Sequence, residues 1–397
     1  MAWREHPSLS PDEARQLHAQ ALVIDSQQPP VTSGFLFTER MREQLEAWRE
    51  EGLSRNEVGQ AVQSLATREI QTSAEARRIY RDLWRRSGVT VACGTYTGSN
   101  RLSDSFEASV RAIGQAYAFI GALEGDLVPV RTAADIERVH ATGKHGLILD
   151  FQNTTPFGDD PSRVALFYNL GIRMVQLTYN LQNLVGDGCT EMYQGGLTYY
   201  GREIVRILNE LCILVDVSHC SEQVGWDALE ASSAPIIVSH SASKTIAYHD
   251  RGKSDKLAKA VADRGGYFGV AVIPGFISNQ PNATLEDLCR HVEHLARTIG
   301  IDHVGIGTDK AGPPSARTGS MIEFPNAMRT RHSSAFDWIG FRLEEHRLTS
   351  DYAIEGYESF ADWPNVTMAL ARWGFNEEEL RKLLGLNFLR VFREVVG

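Results

Sequence analysis

The sequence predicts an α/β fold, a (β/α)8 TIM-like barrel, from three observations. Eight short apolar runs recur along the chain, amphipathic stretches separate them, and no repeat, low-complexity tract or linker divides the 397 residues. The runs are Ala21–Asp25, Gly88–Cys93, Gly146–Gln152 and Ile172–Thr178, then Leu211–Val217, Pro235–Ser239, Gly266–Ile273 and His303–Thr308. Each is nearly continuous in apolar residues and rich in Val and Ile, as parallel strands covered on both faces require. Helical spacing marks Ser103–Leu123, Thr198–Glu210, Ser221–Ala231, Lys253–Arg264 and Leu285–Ile299. Strand and helix alternating eight times favours a closed barrel over an open doubly wound sheet.

Residues 1–397 read as a single domain with two segments outside this alternation. A charged helical insertion covers about 38–80, and a long loop insertion covers about 310–363. Helices follow at Pro364–Trp373 and Glu377–Val395, the second opening with Asn376 and Glu379 in capping-box spacing.

The chain is 43% hydrophobic and 23% charged, which supports a large buried core. Its net charge of −10 offers no basic stripe for a phosphate backbone, so nucleic acid is not an expected partner. The first twenty residues carry charges throughout, and no run approaches the roughly 18 apolar residues of a membrane span. The expectation is a cytoplasmic protein with a small-molecule substrate and no membrane partner. Five cysteines, an odd number without CxxC pairs, read as free thiols.

Barrel chemistry gathers where strands end, because the loops there converge on one mouth. The strand ends offer Gln152, Tyr179-Asn180, His219, His240 and Asp309. Both histidines follow a serine directly after an apolar strand, in VDVSHC and IIVSHS. Two imidazoles and a carboxylate can hold one divalent ion and leave positions open for water and substrate. His219, His240 and Asp309 are therefore the candidate metal ligands.

The segment from VDVSHC to YHDRGKSD resembles the membrane (renal) dipeptidase family of zinc peptidases. So do GLTYYGREIVRILNELCILVDVSH, VGIGTD and the C-terminal GLNFLRV. The resemblance implies a metal-dependent hydrolase barrel with two bridged zinc ions and a homodimeric assembly. It makes His219 and His240 the later pair of metal-binding histidines. Arg251 would bind the substrate carboxylate, and Asp309 would assist proton transfer.

Elsewhere the family pattern is broken. Its first-strand His-x-Asp is Gln27-Gln28-Pro29 here, its bridging glutamate aligns with Gln152, and a histidine near the substrate carbonyl is replaced by Tyr179. Two divalent ions bring four positive charges, and without both carboxylates a buried site does not offset them. A dinuclear centre is not expected. The chain is thus a divergent family member with a degenerate metal site and at most one ion, zinc or alternatively iron. Asp309 and Tyr179 are its candidate catalytic residues, and Arg251, Gln152 and Asn180 its candidate substrate contacts. The expected reaction is at an amide-like or C–N bond of a small carboxylate-bearing molecule. The alternative is a metal-free binding or scaffold protein on the same fold.

Overall fold

The computed structural model describes residues 3, 9–28, 38–53, 55–280, 282–309, 340, 341, 346, 347 and 354–397. Pro29 and most of the 310–363 insertion lie outside these residues.

Eight parallel strands form the barrel wall: β1 (Ile24–Gln28), β2 (Val91–Thr95), β4 (His145–Phe151), β5 (Ile172–Gln176), β6 (Leu214–Asp216), β7 (Ile237–Ser241), β8 (Tyr267–Val270) and β9 (Val304–Ile306). They pair in that order, and each matches one of the eight predicted runs. A ninth, short strand, β3 (Leu127–Pro129), pairs with β4 off this path. It escapes sequence reading because three residues show no periodicity.

The seam between β9 and β1 is closed at the mouth by other bonds. Asp309 N donates to the Gln27 carbonyl at 2.7 Å, and Asp25 accepts from Thr308 N at 2.8 Å and from Thr308 Oγ1 at 2.6 Å. Trp363 Nε1 reaches the same carboxylate at 2.9 Å. Burial nonetheless pushes the Asp25 carboxyl up to about 6, against the lowering effect of those bonds.

Strand β1 begins three residues later than the apolar run ALVID predicts. Ala21 caps the helix Pro11–Gln20, and pairing with β2 continues to Gln28. The shift puts Gln27 and Gln28 on the wall itself.

The lower end of the barrel is packed solid. Ile24, Val91, Cys93, Ile148, Met174, Leu214, Ile237 and Tyr267, drawn from every wall strand except β9 with two from β2, meet Phe388, Leu389 and Phe392 of the helix Asn387–Val395. Each such large apolar side chain contributes about 1.5–3 kcal/mol by leaving water, so polar chemistry is confined to the upper end. The predicted helical insertion is present as Glu39–Glu50, Arg55–Thr72 and Ala74–Ser87. The Asn376/Glu379 capping box forms with both of its bonds. Among the described residues, no helix is long and apolar enough to cross a membrane.

Candidate functional site

Strands β6 and β7 carry the two Ser-His pairs, and one carboxylate ties them together. Asp216 Oδ1 accepts from Ser218 N at 3.0 Å, Ser218 Oγ at 2.6 Å and Ser239 N at 3.0 Å. Its Oδ2 accepts from Ser239 Oγ at 2.6 Å. Ser218 Oγ in turn accepts from His240 N at 3.1 Å. Arg251 braces the same loops, with Nη1 donating to the Ser218 carbonyl at 2.6 Å and Nη2 to the His240 carbonyl at 2.9 Å. The guanidinium is fully buried, and its Nε has no partner among the described residues.

These bonds fix the tautomers of both histidines. The Ser239 hydroxyl gives its proton to Asp216, so it accepts from His240 Nδ1 at 2.7 Å. His219 Nδ1 lies 2.6 Å from Asn180 Oδ1, an atom that also accepts from Cys189 Sγ at 3.4 Å. Each ring therefore keeps its proton on Nδ1 and presents a bare Nε2 lone pair. The two Nε2 atoms face one another 2.9 Å apart. Desolvation is the largest cause holding both imidazoles well below their usual pKa, and the Arg251 charge adds to it. Two neutral rings with lone pairs aimed at one point repel unless a proton or a cation sits between them. Orientation of both rings by bonds at Nδ1 is the arrangement that metal-binding imidazoles need.

The opposite side of the mouth is built differently. Ser26 reaches across the barrel, its Oγ 2.6 Å from the Ser239 carbonyl and 3.0 Å from the Ile306 carbonyl. Gly269 and Gly307 make room for that crossing, since a Cβ on either would stand 2.0 or 2.2 Å from the Ser239 oxygen. Next along β1, Gln27 Nε2 lies 3.5 Å from Asp150 Oδ2. Asp150 therefore faces the barrel interior, on the same face of β4 as Ile148 and Gln152, whereas Asp25 turns away to Thr308 and Trp363.

A sequence profile described as membrane dipeptidase (peptidase family M19) matches residues 12–321. The chain belongs to the membrane dipeptidase family. It is 30% identical over 266 residues to dipeptidase tcpJ of Claviceps purpurea (strain 20.1), covering 66% of this chain and 54% of that protein. It is 26% identical over 294 residues to dipeptidase verJ of Clonostachys rogersoniana, covering 74% and 66%. The chain thus spans about half to two thirds of the length of these curated relatives. Among solved structures, an amidohydrolase from Pseudomonas aeruginosa superposes with a TM-score of 0.70 at 28% identity, covering 98% of this chain and all of that one.

Against that family frame, the residues singled out from sequence fall into two sets. His219 and His240 are brought together, with Gln152 Nε2 3.5 Å from His240 Nε2. Tyr179 lies flat on His219, ring centroids 4.1 Å apart and planes at 19°. Asn180 is fully buried, and its Oδ1 is occupied by His219 and Cys189. Asp309 sits at the β9 end with φ of 54° and partial exposure. Burial pushes its carboxyl up to about 7, opposed by Arg251 and reinforced by Asp25. Among the described residues, no three His, Cys, Asp or Glu side chains are grouped as an ion would need. Asp309 therefore does not complete a triad with the two histidines in this arrangement.

Sequence reading missed Asp216, the hub of both Ser-His pairs. The motif Asp-x-Ser-His holds the signal, because a strand-end Asp two residues before a serine can accept from that serine and from its neighbour on the next strand. The five cysteines are free, as expected, and Cys189 and Cys220 are buried thiols whose pKa burial raises.

Proposed function

We propose that this chain acts on an amide-like C–N bond of a small, carboxylate-bearing, dipeptide-like molecule, with at most one divalent ion held by His219 and His240. The observation that carries this reading is the pair of bare Nε2 lone pairs 2.9 Å apart, each held in place by a bond at Nδ1. The donor set fits one ion at that point. It does not fit two bridged ions, because Gln27 and Gln152 supply neutral amides where anionic charge would be needed. Zinc suits two imidazoles, with iron as the alternative. An ion there would activate a water and polarise the carbonyl under attack.

The chain's own residues supply the rest. Asp216 and Asn180 keep both imidazoles in the lone-pair tautomer, and Gln152, beside His240, is placed to bind the substrate's carbonyl. Asp309, with its carboxyl at about 7, can give and take a proton near neutral pH. Arg251 contributes a buried positive charge, with Nε free to receive the substrate carboxylate. Tyr179 stacks on His219.

The lack of a third acidic, thiol or imidazole ligand among the described residues favours a second reading, a metal-free binding protein. Elemental analysis of protein purified without chelators separates the two. About one ion per chain, lost together with dipeptide hydrolysis in His219→Ala and in His240→Ala, is expected of the enzyme. A metal-free wild type under replete conditions, with both variants folded, leaves the binding protein.

A further inference from the structure

Three consecutive residues of the loop after β7 are met by two residues from far along the chain. His249 Nε2 lies 3.0 Å from the His346 carbonyl, Asp250 Oδ2 lies 3.2 Å from His346 Nε2, and Arg347 Nη2 donates to the Tyr248 carbonyl at 2.6 Å. The same Arg347 nitrogen donates to the Gly275 carbonyl at 3.0 Å, and a Cβ on Gly275 would stand 2.7 Å from the Arg347 oxygen. The segments touch backbone to backbone. Aromatic rings complete the grip, with His249 4.7 Å from the centroid of Phe276 and His346 5.4 Å from that of Phe341.

His249 connects this grip to Arg251. Its Nδ1 accepts from the Arg251 backbone N at 2.9 Å. Burial is the largest cause holding its imidazole down to about 3, and the neighbouring His346, Arg347 and Arg251 add to it, so the ring carries a single proton at neutral pH. Because Nδ1 is an acceptor, that proton stands on Nε2, which donates it to the His346 carbonyl. One ring thus spans both segments. The Arg251 backbone is held from its other end by Ser241 Oγ, which donates to the Arg251 carbonyl at 2.7 Å. Its guanidinium carbon lies 5.5 Å from the centroid of Phe276, the ring that His249 also packs against. A long side chain amplifies a small rotation at its Cα, and small misplacements of a binding group are costly. Where Arg251 Nε points therefore depends on His249 and, through it, on His346.

We propose that His249 is a positioning residue for Arg251, and that the His346–Arg347 segment is the clasp that holds His249 in place, so that carboxylate recognition depends on this part of the long insertion. The proposal rests on the reading of Arg251 as the group that receives the substrate carboxylate. It is tested by calorimetry on the full chain with the ketomethylene isostere of alanyl-alanine, which cannot be hydrolysed, and the same compound ending in a carboxamide. The wild type is expected to prefer the carboxylate by about tenfold or more, and Arg251→Met to abolish that preference. His249→Phe keeps an aromatic ring but loses both bonds, and should cut the preference by about fivefold or more with the carboxamide affinity unchanged. Arg347→Met removes the bonds to the Tyr248 and Gly275 carbonyls and should act in the same direction; it decides the question if His249→Phe does not fold. A full preference kept by folded His249→Phe or by Arg347→Met would overturn the positioning role and leave Arg251 as the carboxylate group. Equal losses for both compounds, the mark of a general structural role, would overturn it too. No preference in the wild type, no binding of either compound, or a preference that survives Arg251→Met would instead refute the reading of Arg251, and the positioning role with it.

Discussion

The two sides of the barrel mouth solve the burial of polar groups in opposite ways. On the β6 and β7 side, Asp216, Ser218, Ser239, Asn180 and both histidines are saturated by one another, apart from the facing Nε2 atoms. On the β1 and β4 side, Gln27, Gln28 and Asp150 each hold an atom with no hydrogen-bond partner among the described residues, at equal depth. A saturated network is rigid and prepared for one task, whereas an unsatisfied one costs stability until something enters it. The contrast separates a prearranged imidazole pair from a side whose buried polar atoms are less fully satisfied.

Three substitutions would break or sharpen this contrast. Asp216→Ala should have the largest effect, since it strips four accepted bonds from two loops at once and leaves buried hydroxyls and amides without partners. A loss of about 3 kcal/mol or more is expected in urea denaturation, and a loss under 1 kcal/mol would show that the hub is not what ties the loops. Asn180→Leu should come next. It frees the His219 Nδ1 proton to move to Nε2, so ion affinity should fall by about 10–100-fold in a chelator competition, with little change in the urea midpoint. An unchanged affinity would mean that Asn180 does not orient the ring. Gln28→Leu should be smallest and opposite in sign, replacing an unpartnered amide with an apolar group of similar size. The free protein should gain about 1 kcal/mol, and a marked loss would mean that the amide is already satisfied.

Much of the fold could be read directly because the physics is local. Parallel strands covered on both faces are nearly continuous in apolar residues, so Pro235–Ser239 and Gly266–Ile273 announce themselves, and repetition of Ser-His after two such runs marks the candidate pair. Other features were hidden because they depend on neighbours distant in sequence. β3 is too short to carry a pattern. The contact between Asp150 and Gln27 joins residues 123 apart in the chain. The start of β1 depends on how far β2 can pair with it, which the run ALVID does not encode.

The sequence by itself determined the barrel, the family and the pairing of His219 with His240, since periodicity and strand-end position are properties of short segments. It also determined that amides stand at Gln27 and Gln152, where the family resemblance expects metal ligands. Only the tertiary structure decided which polar atoms satisfy one another. Hydrogen bonding at the mouth joins most of the wall strands, and a bond's existence depends on distances of a few tenths of an ångström that no local pattern records. That is why Asp216 emerged as a hub, why both Nε2 lone pairs came to face each other, and why Gln27, Gln28 and Asp150 were left open.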